Sequence, residues 1–279
     1  MRGFKRFYDA IPPTGRCLRL LCSVRDHFSH FFSRLRSPRG EAYSDGDMRR
    51  SRSDIRIYKN VKIGRGAEIG EYVVIGVPPK GKKDGELKTV IGSEAILRSH
   101  TVIYAGNVIG AHFATGHGVL IREENEIGDH VSIGSHSIVE HHVKIGNGVR
   151  IHSSAFIPEY SVLEDHAWIG PHVVFTNVLH PLCPEVPKCI KGPYICSGAK
   201  IGANATLLPS ITVGAMALVA AGSVVTRDVP PRAVVAGNPA RIVKTIDDLT
   251  CPWDYIASPY TIVESEISEK RGGSPRKQK

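Results

Sequence analysis

Aliphatic residues recur in this chain every six positions. They stand at Ile63, Ile69 and Ile75, then run from Ile91 through Leu97, Ile103, Ile109, Thr115, Ile121, Ile127, Ile133, Val139, Ile145, Ile151, Ile157, Leu163 and Ile169 to Phe175. They resume at Ile195, Ile201, Leu207, Val213, Val219 and Val225. Thr115 and Phe175 are the only exceptions to Ile, Leu or Val. A small residue or Val often stands two positions earlier, as at Ala155, Ser161, Ala167, Ala199, Ala205, Ala217 and Ser223. The position after the aliphatic residue is often Gly, as at 64, 92, 110, 128, 146 and 202, which suggests a turn with positive φ there. A period of six suits neither a helix of 3.6 residues per turn nor a long strand of period two; it suits short strands joined by turns.

Three hexads make a triangular coil of 18 residues, and coils stack at the β spacing of about 4.8 Å with the aliphatic column filling the prism. The predicted fold class is all-β, a parallel β-helix of about eight coils over residues 54–245. Two stretches break the period, 77–90 and 176–194. They predict loops extruded from a rigid scaffold, where binding and catalysis tend to reside. Residues 240–256 predict a short helix capping the open end, and 246–279 a C-terminal cap followed by a disordered basic tail. Residues 1–53 carry no hexad and read as a disordered basic extension, with Met48 an alternative start. A helical spacing of apolar residues within 17–35 offers a basic interfacial helix, but membrane contact is not the expected reading.

Charge narrows the choice of partners. The chain has a net charge of +9, but residues 1–53 hold twelve Arg or Lys against five acids and residues 270–279 hold five against none. The remainder carries −3, so a basic groove for nucleic acid is not expected. No apolar run reaches about 18 residues, so no membrane span is expected, nor a signal peptide. The six Cys lack the density of a disulfide scaffold and read as reduced thiols of a cytoplasmic protein. Cys183, Cys189 and Cys196 have spacings that match no standard zinc pattern.

The hexads, together with AAGSVVTRDVPPRAVVAGNPARIVK at 220–244, resemble the hexapeptide-repeat acyltransferases over about residues 55–245. The resemblance implies a left-handed coil, against the usual right-handed crossover. It also implies a homotrimer with active sites between adjacent prisms, and acetyl-CoA as co-substrate along the C-terminal coils, with no metal. The run from Thr115 to Asn177 is similar to enzymes that acylate nucleotide-activated amino sugars for surface polysaccharide, so a small sugar acceptor is expected. By the same resemblance to galactoside-type enzymes, Ala203, Ala221, Thr226 and Arg227 line the cofactor groove, and Arg241 and Lys244 meet its phosphates.

Stacking at intervals of 18 puts Arg122, Glu123 and Glu124 below Glu140, His141 and His142, then Glu159 and Tyr160, then Thr176 and Asn177, on one prism edge. Titratable groups so aligned are costly unless they pair or bind a ligand. Arg122, Glu123, Glu159 and Asn177 are therefore expected to bind the acceptor, with His117 reaching in from a neighbouring subunit. His180, in an LHP sequence that resembles the GHP of galactoside-type enzymes, is one expected general base; the histidines that follow GHP in that family are absent here, replaced by LCPEVPKC. His141 with Glu140 beside it is the other. Two competing readings are a zinc enzyme resembling the β-helix carbonic anhydrases, through His100, His136 and His141, and a non-catalytic scaffold.

Overall fold

The computed structural model describes residues 54–260. The readings for 1–53 and for the end of the tail fall outside them. Each hexad forms a strand of two to four residues whose aliphatic member points inward. The strands assemble into three parallel sheets, here called A, B and C, of nine, eight and ten strands. The chain visits A, B and C in turn, which gives between eight and nine coils of a left-handed parallel β-helix. Register follows the 18-residue interval, as in Leu120 opposite Ile138 and Glu126 opposite Lys144. Of the predicted column only Ile63 and Ile69, in the first coil, are incompletely buried.

The small residues expected two positions before each aliphatic one are also buried, at Ala155, Ser161, Ala167 and Ala199 for example. They pack inside the prism beside the aliphatic column, at a position that takes Phe113 and Val131 in other coils. The glycines have a different reason from the one expected. Left-handed backbone falls three residues after the aliphatic position, at His112 (φ 55), His130 (φ 57), His142 (φ 57) and Tyr160 (φ 61). The glycine directly after the aliphatic residue is needed for close approach. A Cβ on Gly134 would lie 2.4 Å from Ser153 N, and one on Gly92 2.5 Å from Ala111 N. Most histidines of the chain thus occupy a left-handed position that His, Asn and Asp tolerate better than other side chains.

Both extruded loops leave the prism at the same edge, from the end of a sheet A strand to the start of a sheet B strand. The first lies between Val74–Val77 and Thr89–Ile91, the second between Val174–Phe175 and Tyr194–Ile195. The stacking resumes after both, with Val61 opposite Thr89 and Val162 opposite Tyr194 in parallel register; the first loop leaves one register shift, between Ile75 and Val77. The second loop includes a short helix at Val186–Cys189 that the sequence pattern does not announce.

The C-terminal cap also differs from expectation. In place of a helix, Ala240–Thr245 forms a strand antiparallel to Ala233–Gly237, turning through Asn238–Pro239, followed by a 3-10 turn at Ile246–Asp248. Val235, Val234 and Ala233 continue the stacked sheet C, so the returning strand supplies hydrogen bonds that a helix would leave unmet at the sheet edge. Ile246, Val234 and Met216 then form a small second core. No helix among the described residues is long and apolar enough to cross a membrane.

Candidate functional site

The A–B edge between the two loops gathers a group of charged and titratable side chains from successive coils. On sheets B and C most aliphatic residues are followed by Gly, but at the ends of the sheet A strands stand Tyr104, Arg122, Glu140 and Pro158. Side chains can therefore begin at the prism corner itself. Behind them lie two fully buried asparagines that the sequence reading did not single out, Asn107 and Asn125. Asn107 Nδ2 donates to the carbonyls of Tyr104 and Arg122, each at 2.7 Å, and Asn125 Nδ2 to that of Arg122 at 2.9 Å. Their Oδ1 atoms accept the N–H groups of Asn125 and Val143. Asparagine where other coils carry Ala, Ser or Val was the available signal.

On this frame the Arg122 guanidinium donates to both oxygens of Glu123, at 2.9 and 3.0 Å, and to Glu140 Oε2 at 3.3 Å. Tyr104 lies beneath it, with the guanidinium carbon 5.1 Å from the ring centroid. Burial pushes the Glu140 carboxyl above the usual carboxylate range; Arg122 opposes this and the Glu159 charge adds to it. Burial acts on Glu123 in the same sense, but the hydrogen bonds from Arg122 and from its own backbone outweigh it and hold Glu123 below that range. Arg122 lowers both carboxyls, but only Glu123 receives its bidentate fork, so burial prevails at Glu140 and not at Glu123.

His141 stands beyond Glu140. Its Nε2 lies 3.6 Å from Glu159 Oε1, and Asn177 Nδ2 donates to the other oxygen of Glu159 at 2.5 Å. Its Nδ1 meets His142 Nδ1 at 2.9 Å, and His142 Nε2 lies 3.7 Å from Glu124. The backbone carbonyl of Asn177 accepts the N–H of Lys191, which closes the neck of the second loop. Arg122, Glu123, Glu140, His141, Glu159 and Asn177 are thus brought together as the stacking interval predicts. Glu159 lies beside the imidazole, and Asn177 is linked to it only through Glu159.

Four expected residues stand apart. His180 is exposed within the second loop, and only its carbonyl is engaged, by Cys183 N–H at 3.2 Å. The loop sequence LCPEVPKC folds its short helix without carrying the ring to a carboxylate. His117 lies on the C–A edge, where its Nδ1 meets Ser99 Oγ at 2.9 Å. His100 and His136 occupy that same edge at left-handed positions (φ 62 and 59), while His141 is on the A–B edge. The three histidines of the zinc reading do not converge within one chain, and among the described residues no group of three or more His, Cys, Asp or Glu could hold a metal ion. Cys183, Cys189, Cys196 and Cys251 are free thiols.

The expected cofactor residues flank the last strands of sheet A. Ala203 and Ala221 stack on the C–A edge, with Ala203 O accepting Gly222 N–H at 2.8 Å, and Thr226 and Arg227 stand on the A–B edge. Arg241 and Lys244 are exposed on the terminal hairpin, where their cations suit phosphate groups. Two surface concavities, of about 870 and 530 Å³, lie on the flat faces of sheets B and C. The charged edge itself is open in a single prism.

Comparison with known proteins fits this architecture. The family model for Bacterial transferase hexapeptide (six repeats) matches residues 126–159. The chain is 44% identical over 82 residues to 2,3,4,5-tetrahydropyridine-2,6-dicarboxylate N-acetyltransferase of Clostridium perfringens, covering 29% of this chain and 32% of that one. Against the protein of the same name from Alkaliphilus metalliredigens it is 39% identical over 153 residues, 55% of this chain and 62% of that one. Galactoside O-acetyltransferase of Escherichia coli is 33% identical over 97 residues, 33% of this chain and 48% of that one. The chain thus spans between about a third and three-fifths of the length of these relatives. Among solved structures, the UDP-N-acetylglucosamine acyltransferase LpxA from Bacteroides fragilis gives a TM-score of 0.46 at 15% identity over 80% of this chain and 78% of that one. The chain thus carries hexapeptide repeats folded as a three-sheet β-helix and is similar, over part of its length, to acetyltransferases.

Proposed function

We propose that this chain transfers an acetyl group from acetyl-CoA to an amino or hydroxyl group of a sugar, in nucleotide-activated form and for surface polysaccharide. The observation that carries the reading is the His141 imidazole set against Glu159 on the edge between the two extruded loops. A neutral imidazole held by a carboxylate can accept the proton of an attacking nucleophile, and the carboxylate stabilises the imidazolium that forms. As the nucleophile bonds to the thioester carbonyl carbon, the C–S bond breaks and CoA leaves. Arg122, with Glu123 and Glu140 fixed around it, offers polar recognition to a hydroxyl-rich acceptor. Ala203, Ala221, Thr226, Arg227, Arg241 and Lys244 are proposed for acetyl-CoA.

The outer positions of sheet A support a homotrimer. Val74, Val102, Leu120, Ile138, Phe156 and Val174 form one apolar ladder up its face, and all remain partly accessible in the single chain. Three prisms packed about this face would bring the A–B edge of one beside the C–A edge of the next, where His117 stands. That would enclose the cluster left open in one prism. The free thiols support a cytoplasmic setting.

Calorimetric titration of acetyl-CoA into the protein and into Arg241→Ala is expected to give saturable binding that weakens in the variant. A thiol-release assay with acetyl-CoA and a panel of nucleotide amino sugars then tests transfer. Absence of binding in both proteins would overturn the reading.

A further inference from the structure

Five side chains form one continuous line across the proposed site: Glu124, His142, His141, Glu159 and Asn177. The successive separations are 3.7, 2.9, 3.6 and 2.5 Å. The two imidazoles meet edge to face with centroids 5.0 Å apart, and Tyr160 lies against both, at 5.8 and 5.6 Å. Exposure is graded along the line, from 25% at the His141 side chain to 45% at those of His142 and Glu124. The line therefore begins at the proposed base and ends in water.

Two Nδ1 atoms at 2.9 Å form a hydrogen bond only if one carries a proton and the other does not. With His141 Nδ1–H donating to His142 Nδ1, His142 keeps its Nε2–H toward Glu124, and His141 Nε2 presents a lone pair beside Glu159. Resting on the acetyl-transfer reading, we infer that His141 and His142 act as one base, with His142 relaying protons between His141 and solvent. As the nucleophile attacks, its proton passes to His141 Nε2, the His141 Nδ1 proton passes to His142 Nδ1, and the His142 Nε2 proton leaves to water. When the C–S bond breaks the line runs in reverse: water returns a proton to His142 Nε2, His142 Nδ1–H refills His141 Nδ1, and His141 Nε2–H protonates the departing sulfur. Both rings regain their starting tautomers, and no proton is gained or lost overall.

Such a pair separates the two tasks of a base. His141, held by Glu159, faces the reacting atoms, and His142 keeps contact with solvent even when a bound acceptor covers its neighbour. Glu124 on the outer end serves the proton that arrives there.

The test uses His142→Asn, because asparagine tolerates the left-handed backbone at that position (φ 57). With acetyl-CoA and whichever nucleotide amino sugar the wild type turns over fastest, kcat is expected to fall at least tenfold while KM for acetyl-CoA is unchanged. Added imidazole is expected to restore turnover in His142→Asn but not in His141→Asn. Unchanged kcat, or a loss that imidazole does not restore, would overturn the relay. If the wild type turns over none of the sugars, the acetyl-transfer reading fails on its own, and the hydrogen bond is then decided by 15N-edited NMR of ring-labelled protein. A slowly exchanging imidazole N–H proton should appear in the wild type and vanish in both variants; its absence from the wild type would equally overturn the pairing.

Discussion

The A–B and B–C edges of the prism are built from the same hexads, yet they use their polar groups in opposite ways. At the B–C edge Asp129, Asn147 and Asp165 stand one above another, and each Oδ1 accepts a backbone N–H from the coil before it, from Ala111, Asp129 and Asn147 at 2.7 to 2.9 Å. Glycines at 110, 128 and 146 let these contacts close, since a Cβ there would strike the same side chains. At the A–B edge the backbone is served instead from inside, by the buried Asn107 and Asn125, which frees Arg122, Glu123, Glu140, His141 and Glu159 to engage one another. One edge uses surface polar groups to tie coil to coil; the other moves that task into the core and leaves a titratable surface.

Substitutions can break this contrast from either side. The largest effect is expected at His141→Asn, which should lower kcat for acetyl transfer by about 10²- to 10⁴-fold, the usual contribution of a general base. The melting temperature and acetyl-CoA affinity, read by calorimetry, should stay near wild type. Asn125→Ala should act on both properties. It strands the buried N–H of Val143 and removes one of the two asparagine donors to the Arg122 carbonyl, with an expected loss of about 1–3 kcal/mol in denaturant unfolding and a displaced, less active edge. Asp165→Ala removes an equivalent contact where water can replace it, so about 1 kcal/mol of stability should be lost, with acetyl-transfer activity unchanged. Equal losses for Asn125→Ala and Asp165→Ala would remove the distinction between the edges.

The smallest expected effect lies at Tyr194, whose hydroxyl donates to Glu164 at 2.5 Å. That hydrogen bond, with lesser help from burial, pushes the phenol up to about 12. Since the folded value lies above the ordinary 10, the contact stabilises the fold fully below about pH 10 and is lost as pH rises toward 12. Phenolate absorbance should show one tyrosine titrating late, and Glu164→Gln should bring it down.

Much of this was legible in the residue order. A six-residue aliphatic period admits one economical burial, so the prism, its 18-residue register and the two extruded loops could all be read from the spacing of Ile, Leu and Val. The same interval places Arg122, Glu123, Glu140, His141, Glu159 and Asn177 on one edge, because in a solenoid lateral position is the remainder left when sequence position is divided by the coil length. Glycine was harder to read. The pattern shows where Gly recurs, but contact with the next coil decides that the residue after Ile must lack a Cβ, while positive φ falls two positions later on His, Asn and Tyr.

Tertiary structure alone decided how the aligned groups pair. Sequence offered His180 first and His141 second as the base; in the fold the second loop leaves His180 exposed, and coil stacking sets His141 beside Glu159. Likewise the residue order pointed to a short helix over 240–256, and the unpaired edge of sheet C imposed a strand at Ala240–Thr245 instead. The reason is common to these cases: a repeat dictates where each backbone segment stacks, whereas the direction of a side chain, and the path of a loop free of the repeat, follow from the neighbours it finds there.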